Sequence, residues 1–156
     1  MRGTQKLLDY WLYGLMKAAE ELGQTDVFLR EVEEEALRKF FAGEGCDFHP
    51  PQDLREAILG YTRFVSKLGI VEETDLVARN DAGAVSVEVG VECPYRRTCE
   101  MRHEADERVH CFRAVAFTEM LRQRLHTAVH WKLERFAVPC HIRITPSPLK
   151  AGTDGD

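Results

Sequence analysis

A change of hydrophobic periodicity near residue 69 constrains the fold of this 156-residue chain more than any other feature. Before it, apolar residues recur every three or four positions, which is the spacing of one helix face. After it, the stretch AVSVEVGVEC at 84–93 alternates strictly, as a strand with one buried face does. Helices followed by strands predict an α+β domain with an antiparallel sheet.

The first half of the chain predicts three helices. The first covers residues 7–22 and ends at Gly23, because glycine commonly follows the last helical residue. Asp26 is a candidate N-cap for the second helix, and Asp53, in the sequence DLRE, for the third. The third helix is expected to end before Gly69.

The second half predicts two β-hairpins with a helix between them. The strands are expected at 76–79, 84–93, 128–136 and 140–145, and the helix at 111–125. We therefore predict N-terminal helices packed on an antiparallel sheet, with the fourth helix between the two hairpins. Residues 1–146 are expected to form a single domain, followed by a disordered tail at 147–156.

Charge and composition exclude several classes of partner. The net charge is −5 and no basic stripe with interleaved aromatic residues occurs, which disfavours nucleic-acid binding. Polar residues interrupt every apolar run of segment 1–23, so it is predicted to be neither a signal peptide nor a membrane span. These features favour the cytoplasm, where thiols act as metal ligands or catalysts more often than as disulfides.

Four of the five cysteines are candidate ligands of one metal site. Cys93 and Cys140 share the parity of the branched aliphatic residues in their predicted strands, and Cys111 lies on the apolar side of a predicted helix start. Cys99 follows six residues after Cys93 in a polar loop. We expect the four thiols to converge, whereas Cys46 is interpreted as a lone thiol. Small buried hydrophobic side chains are the alternative interpretation of all four.

Ligand type leaves the metal open between an iron–sulfur cluster and zinc, because both accept four thiolates. The spacing C-x5-C-x11-C-x28-C lacks the C-x2-C pair of most structural zinc sites, and Pro94 follows one candidate ligand. This favours an iron–sulfur cluster, with zinc as the alternative. His103 and His110 flank the cysteine-rich loop and are candidate substitute ligands.

Signatures of catalysis are absent from the sequence. No G-x-S-x-G, P-loop or G-x-G-x-x-G motif occurs. His110 and Cys111 are adjacent in the chain, so their side chains are expected to point apart rather than form a base and a nucleophile. The sequence therefore predicts no catalytic residue.

Three motifs, taken in order along the chain, resemble the 4-vinyl reductase domain family, which is related in fold to haem-nitric-oxide-binding domains. They are Cys93-Pro94-Tyr95 at a predicted strand end, Cys111-Phe112 at a helix start, and the closing Cys140-x-Ile142-x-Ile144 strand. The resemblance covers residues 54–145. It implies a cytoplasmic domain that encloses a small apolar ligand between helices and sheet.

Combined with the cysteine pattern, the resemblance predicts a small-molecule-binding or redox- and gas-sensing module with a four-cysteine metal site. The alternative is a small metal-dependent or ring-opening hydrolase, or a reductase accessory enzyme, acting on an apolar or heterocyclic substrate. A looser similarity to hydrolases of the thiazoline-carboxylate type supports this alternative.

The first helix also predicts self-association. Tyr10, Trp11, Tyr13 and Leu15 together span more than one side of that helix. A single contact with the core needs a narrower apolar band. We therefore expect a homodimer.

Overall fold

The computed structural model describes residues 2–44 and 53–147. The helices are α1 Arg2–Glu21, α2 Thr25–Gly43, α3 Leu54–Lys67, α4 Arg96–Glu104 and α5 Phe112–Leu125; the strands are β1 Leu76–Asp81, β2 Ala84–Val89, β3 Val129–Arg135 and β4 Cys140–Pro146. Cys46 and the predicted tail beyond Ser147 lie outside the described residues.

The predicted α+β class is confirmed, with α5 between two hairpins and the remaining helices before or between the strands. The four strands form one antiparallel sheet in the order β1-β2-β4-β3, so β2 and β4 join the hairpins at its centre. Strand β3 is an edge of the sheet.

The main core lies between one face of the sheet and helices α3 and α5. Val87 on β2, Ile142 on β4 and Phe117 on α5 are all fully buried in it. The predicted inner face of the sheet is therefore correct over both central strands. The opposite face carries polar side chains such as Ser86 and Arg143, which face each other across the two strands.

A second, smaller core lies between α1, α2 and the start of α5. Met16 of α1, Leu29 of α2 and Phe112 of α5 form it. Helix α1 therefore packs on other helices, and only one of its faces is used in doing so.

Strand β2 ends earlier than the alternation predicts. It stops at Val89, Val91 is 55% exposed, and Cys93 lies in the turn beyond the strand. Asp75 is the physical reason: its backbone carbonyl accepts from Gly90 N–H at 2.8 Å and its carboxylate from Glu92 N–H at 2.8 Å. A Cβ at position 90 would lie 1.9 Å from that carboxylate, so this close approach requires glycine.

Two other local predictions differ from the structure. The cysteine-rich loop contains helix α4, whose buried side is made of Thr98, Cys99 and Arg102, residues that give no hydrophobic periodicity. Helix α2 begins at Thr25, one residue before the predicted cap Asp26. The cap of α3 is confirmed, because Asp53 accepts a hydrogen bond from Glu56 N–H at 2.8 Å.

We predict that Val87→Asp unfolds the domain, because Val87 is 0% exposed at the centre of the main core. An unpaired buried carboxylate costs several kcal/mol, against a total stability of about 5–15 kcal/mol. Ser86→Asp is the matched control, since Ser86 faces Arg79 and Arg143 across its two neighbouring strands. Thermal unfolding should show a cooperative transition for the control alone; a cooperative transition for Val87→Asp would contradict its position on the buried face.

Candidate functional site

The four cysteines predicted as ligands line one small cavity. Cys93 comes from the turn after β2, Cys99 from α4, Cys111 from the cap of α5 and Cys140 from the start of β4. All four are free thiols. The sequence prediction that these residues act together as a functional site stays a prediction.

Hydrogen bonds orient two of the thiols toward carbonyl oxygens. Cys99 donates weakly to the backbone oxygen of His110 at 3.9 Å, and Cys140 donates to that of Ala137 at 3.3 Å. Arg96 reinforces this end of the sheet, because its guanidinium donates to the carbonyls of Ala137 and Gly90 at 2.8 and 3.1 Å. Sequence analysis missed Arg96, and its position in a predicted loop gave no signal.

Burial favours the protonated form of three of these thiols, those of Cys93, Cys99 and Cys111. It raises the pKa of Cys111 to about 12 and raises those of Cys93 and Cys99. Neighbouring thiols in the same cavity add to the rise, because a second thiolate would repel the first. The nearby Arg113 guanidinium only partly offsets the effect at Cys93. Nucleophilic and metal-binding chemistry require the thiolate, which this environment disfavours.

The predicted metal centre is wrong. In the two described ranges, no group of three or more His, Cys, Asp or Glu side chains is arranged to hold a metal ion. A zinc or iron–sulfur centre needs three or four ligand atoms placed around one point, at about 2.3 Å from zinc, and the four thiols do not form such a group. Neither an iron–sulfur cluster nor zinc is therefore supported as a cofactor.

The two histidines predicted as substitute ligands are absent from the lining of the thiol cavity. His103 is exposed and packs edge-on against Phe136, with 5.1 Å between ring centroids. His110 is buried between Phe112 and Trp131, in a different cleft.

The thiol cavity is also too small for the small apolar ligand that the sequence predicted. Its volume is about 20 Å³, which is room for roughly one water molecule. Binding sites for small organic molecules measure about 300–1,000 Å³. The side chains that surround it, including Val89, Leu133 and Phe136, pack as the end of the main core.

Helix α1 presents a second apolar face to solvent. Its inner face buries Met16 and Ala19, while large apolar side chains on its outer face are 50–76% exposed: Leu7, Leu8, Tyr10, Trp11 and Leu22. Gly14, Leu15 and Ala18 continue the same stripe at helical spacing. The stripe reaches α2 at Phe28, which is 41% exposed. We call this surface the α1 face.

The α1 face differs from ordinary protein surface in its extent. Single exposed apolar residues are normal, but monomeric proteins rarely expose contiguous apolar patches larger than about a few hundred Å². The α1 face runs from Leu7 to Leu22, one residue past the end of α1, and continues onto α2 at Phe28. Sequence analysis found the wide apolar band, although Tyr13 proves to be half-buried on the inner side, where its hydroxyl donates to Glu107 at 3.3 Å.

Comparisons with known proteins give a structural neighbour only. No family model and no curated protein matches the chain. The fold is similar to that of a trafficking protein particle complex subunit 3 from Naegleria fowleri, whose structure is covalently bound to palmitic acid. The TM-score is 0.58 at 10% sequence identity, over 94% of this chain and 97% of the other. At that identity the likeness shows the fold alone.

This neighbour corrects the resemblance to the 4-vinyl reductase family. No model of that family matches, and the similar structure is a trafficking-complex subunit rather than a reductase or haem-nitric-oxide-binding domain. The motifs around Cys93, Cys111 and Cys140 mark core positions of the fold. The predicted four-cysteine metal-dependent sensor is also wrong, because no group of side chains in the described residues is placed to hold its metal.

No helix in the described part of the chain combines the length and apolarity needed to cross a membrane. The apolar outer residues of α1 are interrupted by charged ones such as Lys6 and Glu21. The α1 face is therefore an apolar stripe bordered by charged residues.

We predict that Cys111 resists alkylation in the folded protein. With its pKa raised from 9.0 to about 12, it has about a thousandfold less thiolate at pH 8 than an ordinary cysteine. Iodoacetamide labelling at pH 8, followed by peptide mass spectrometry, should label Cys111 readily in urea and hardly at all without it. Labelling of native Cys111 at the rate seen in urea would contradict a buried, protonated Cys111.

Proposed function

We propose that this chain is a cytoplasmic assembly subunit, which self-associates through the α1 face into a homodimer. One observation carries the proposal: α1 is apolar on both sides, and its inner side alone is covered by the rest of the chain. The free thiols support a reducing compartment. The structural neighbour is itself a subunit of a complex, which makes assembly a role that this fold can serve.

A second copy fits the α1 face by shape when the two helices run antiparallel. The large side chains Leu7, Tyr10 and Trp11 lie in the N-terminal half of the stripe, and small Gly14 and Ala18 follow them. With Gly14 near a two-fold axis, Tyr10 of one copy lies opposite Ala18 of the other. Large Tyr10 therefore meets small Ala18 on both sides of the axis, as a self-complementary interface requires.

Gly14 itself supports close approach by a partner helix. Glycine inside a helix costs roughly 0.5–1 kcal/mol relative to alanine. A Cβ at this position would meet nothing within 4 Å in the chain, so internal packing does not demand glycine here. Contact with a second helix backbone at this point explains the residue.

Charge complementarity favours the same arrangement. Lys6 and Glu21 lie on the same edge of the stripe at opposite ends of α1 and are both exposed. Neither forms an ion pair with the residues that the structure describes. In an antiparallel pair centred on Gly14, Lys6 of each copy lies beside Glu21 of the other, so both charges gain a partner.

We predict that Trp11→Lys yields a monomer. Trp11 is 69% exposed and lies in the middle of the α1 face, so the substitution should leave the fold intact while placing a charge in the interface. Light scattering at micromolar concentration should give about twice the chain mass of 17.9 kDa for the natural chain and that mass for the variant.

Two controls make this test specific. Val77→Lys changes a comparably apolar residue, 39% exposed, on strand β1 and should leave the dimer intact. Lys6→Glu and Glu21→Lys should each weaken association roughly tenfold, and the double variant should recover it, because it exchanges the two charges. A monomeric natural chain, or an unchanged dimer in Trp11→Lys, would refute the proposal.

A further inference from the structure

Helix α2 carries a glutamate in the middle of its buried stripe. Leu29 and Leu37 of that stripe are 0% and 6% exposed, and Glu33 lies one helical turn from each of them, on the same face. The side chain of Glu33 is half-buried. A carboxyl group in such a position is normally paired with a cation, because burial disfavours its charge.

Glu33 differs from the two glutamates that follow it, because both of those have a cationic partner. Glu34 pairs with Arg38 at 2.8 Å and with Arg122 of α5 at 2.9 Å. Glu35 pairs with Arg38 at 2.5 Å. In the described part of the chain, Glu33 itself forms neither an ion pair nor a hydrogen bond.

A second buried carboxylate lies across the contact between α2 and α5. Glu119 of α5 is 1% exposed, and Arg122 binds it at 2.8 Å. The same guanidinium nitrogen of Arg122 also contacts Glu34. One arginine therefore serves two carboxylates, and its charge is already used before Glu33 is considered.

The other elements that surround Glu33 supply it with no partner. The α1 side chains that pack on α2, such as Met16, are uncharged. Tyr95, in the turn before α4, contributes a phenol, whose pKa is raised by burial and, to a smaller extent, by the charge of Glu33. Arg113 of α5 lies instead over the ring of Phe117, with its guanidinium carbon 5.1 Å from the ring centroid.

This environment favours the protonated form of Glu33. Burial first, and the charge of Glu119 second, raise the pKa of Glu33 from 4.5 to about 7. Because the pKa is higher in the folded state than in the unfolded state, folding takes up a proton at this group. The stability that Glu33 contributes is therefore complete below pH 4.5 and is lost as the pH rises through about 7.

We propose that the contact between α2 and α5 is a pH-sensitive joint, which is closed when Glu33 carries a proton and loosened when Glu33 ionises beside Glu119. The proton that leaves the carboxyl group passes to water. The joint is separate from the α1 face, to which neither residue belongs, and it does not require the dimer. It adds a form of regulation that the proposed assembly role does not include.

The titration of Glu33 is measured directly by NMR of the side-chain carboxyl carbon in the full-length protein. The Glu33→Gln variant identifies the signal by its loss. We expect a titration midpoint near pH 7, since the group is half-buried beside a second carboxylate. A midpoint below about pH 5.5, close to that of a glutamate in water, would overturn the proposal.

Unfolding measurements test the coupling of this proton to the fold. At one protein concentration, the unfolding equilibrium constant of the natural chain should rise roughly fiftyfold between about pH 5 and pH 8. Glu33→Gln should remove most of this rise, because glutamine does not ionise. Glu35→Gln is the matched control and should keep the rise, because Glu35 is 62% exposed on the same helix.

Hydrogen exchange localises the effect. The protection of the α2 amides should fall over the same pH range in the natural chain and in Glu35→Gln, and should stay constant in Glu33→Gln. An equal pH dependence of stability in the natural chain and in Glu33→Gln would overturn the proposal. Loss of that dependence in both variants would do so as well, because the effect would then not belong to Glu33.

Discussion

The buried guanidinium of Arg102 fixes the position of α1, on which the proposed role depends. Arg102 is 0% exposed and forms ion pairs with Glu20 of α1 and with Glu107, the latter at 3.1 Å. Lys17 of α1 reaches the same Glu107 at 2.5 Å. A charge buried this deeply is stable only when it is paired, so breaking these contacts is costly and α1 is held in one orientation. The inner side of α1 packs against α4 and α2, and its other apolar side faces solvent.

The sequence predicted the parts of the fold that carry strong periodicity. Three helices, two hairpins and the inner face around Val87 and Ile142 follow from the spacing of apolar residues alone. Helix α4 could not be found in this way, because its buried side consists of Thr98, Cys99 and Arg102. The wide apolar band of α1 was visible, but which side it buries depends on Arg102, and therefore on the helix that the sequence did not reveal.

The thiol cluster shows that one pattern of cysteines in a sequence can indicate either core packing or a metal site. Strand and helix parity correctly places Cys111 and Cys140 toward the interior, but that position suits a small hydrophobic side chain as well as a ligand. Cys93 lies near them for another reason, because Asp75 ends strand β2 at Gly90 and turns the chain. Distinguishing packing from coordination required the positions of the side chains relative to one another, which a sequence does not supply.

The central claim is that two α1 helices pair antiparallel, and a distance between spin labels tests it most directly. Labels at Thr4, introduced through an encoded non-natural side chain, avoid the native thiols; Thr4 is exposed near the start of α1. An antiparallel pair centred on Gly14 places the two labels about 30 Å apart, because each residue advances a helix by about 1.5 Å. A parallel pair would place them about 10 Å apart. A distance near 30 Å is the expected result, and a distance near 10 Å, or no dipolar coupling between labels, would contradict the account.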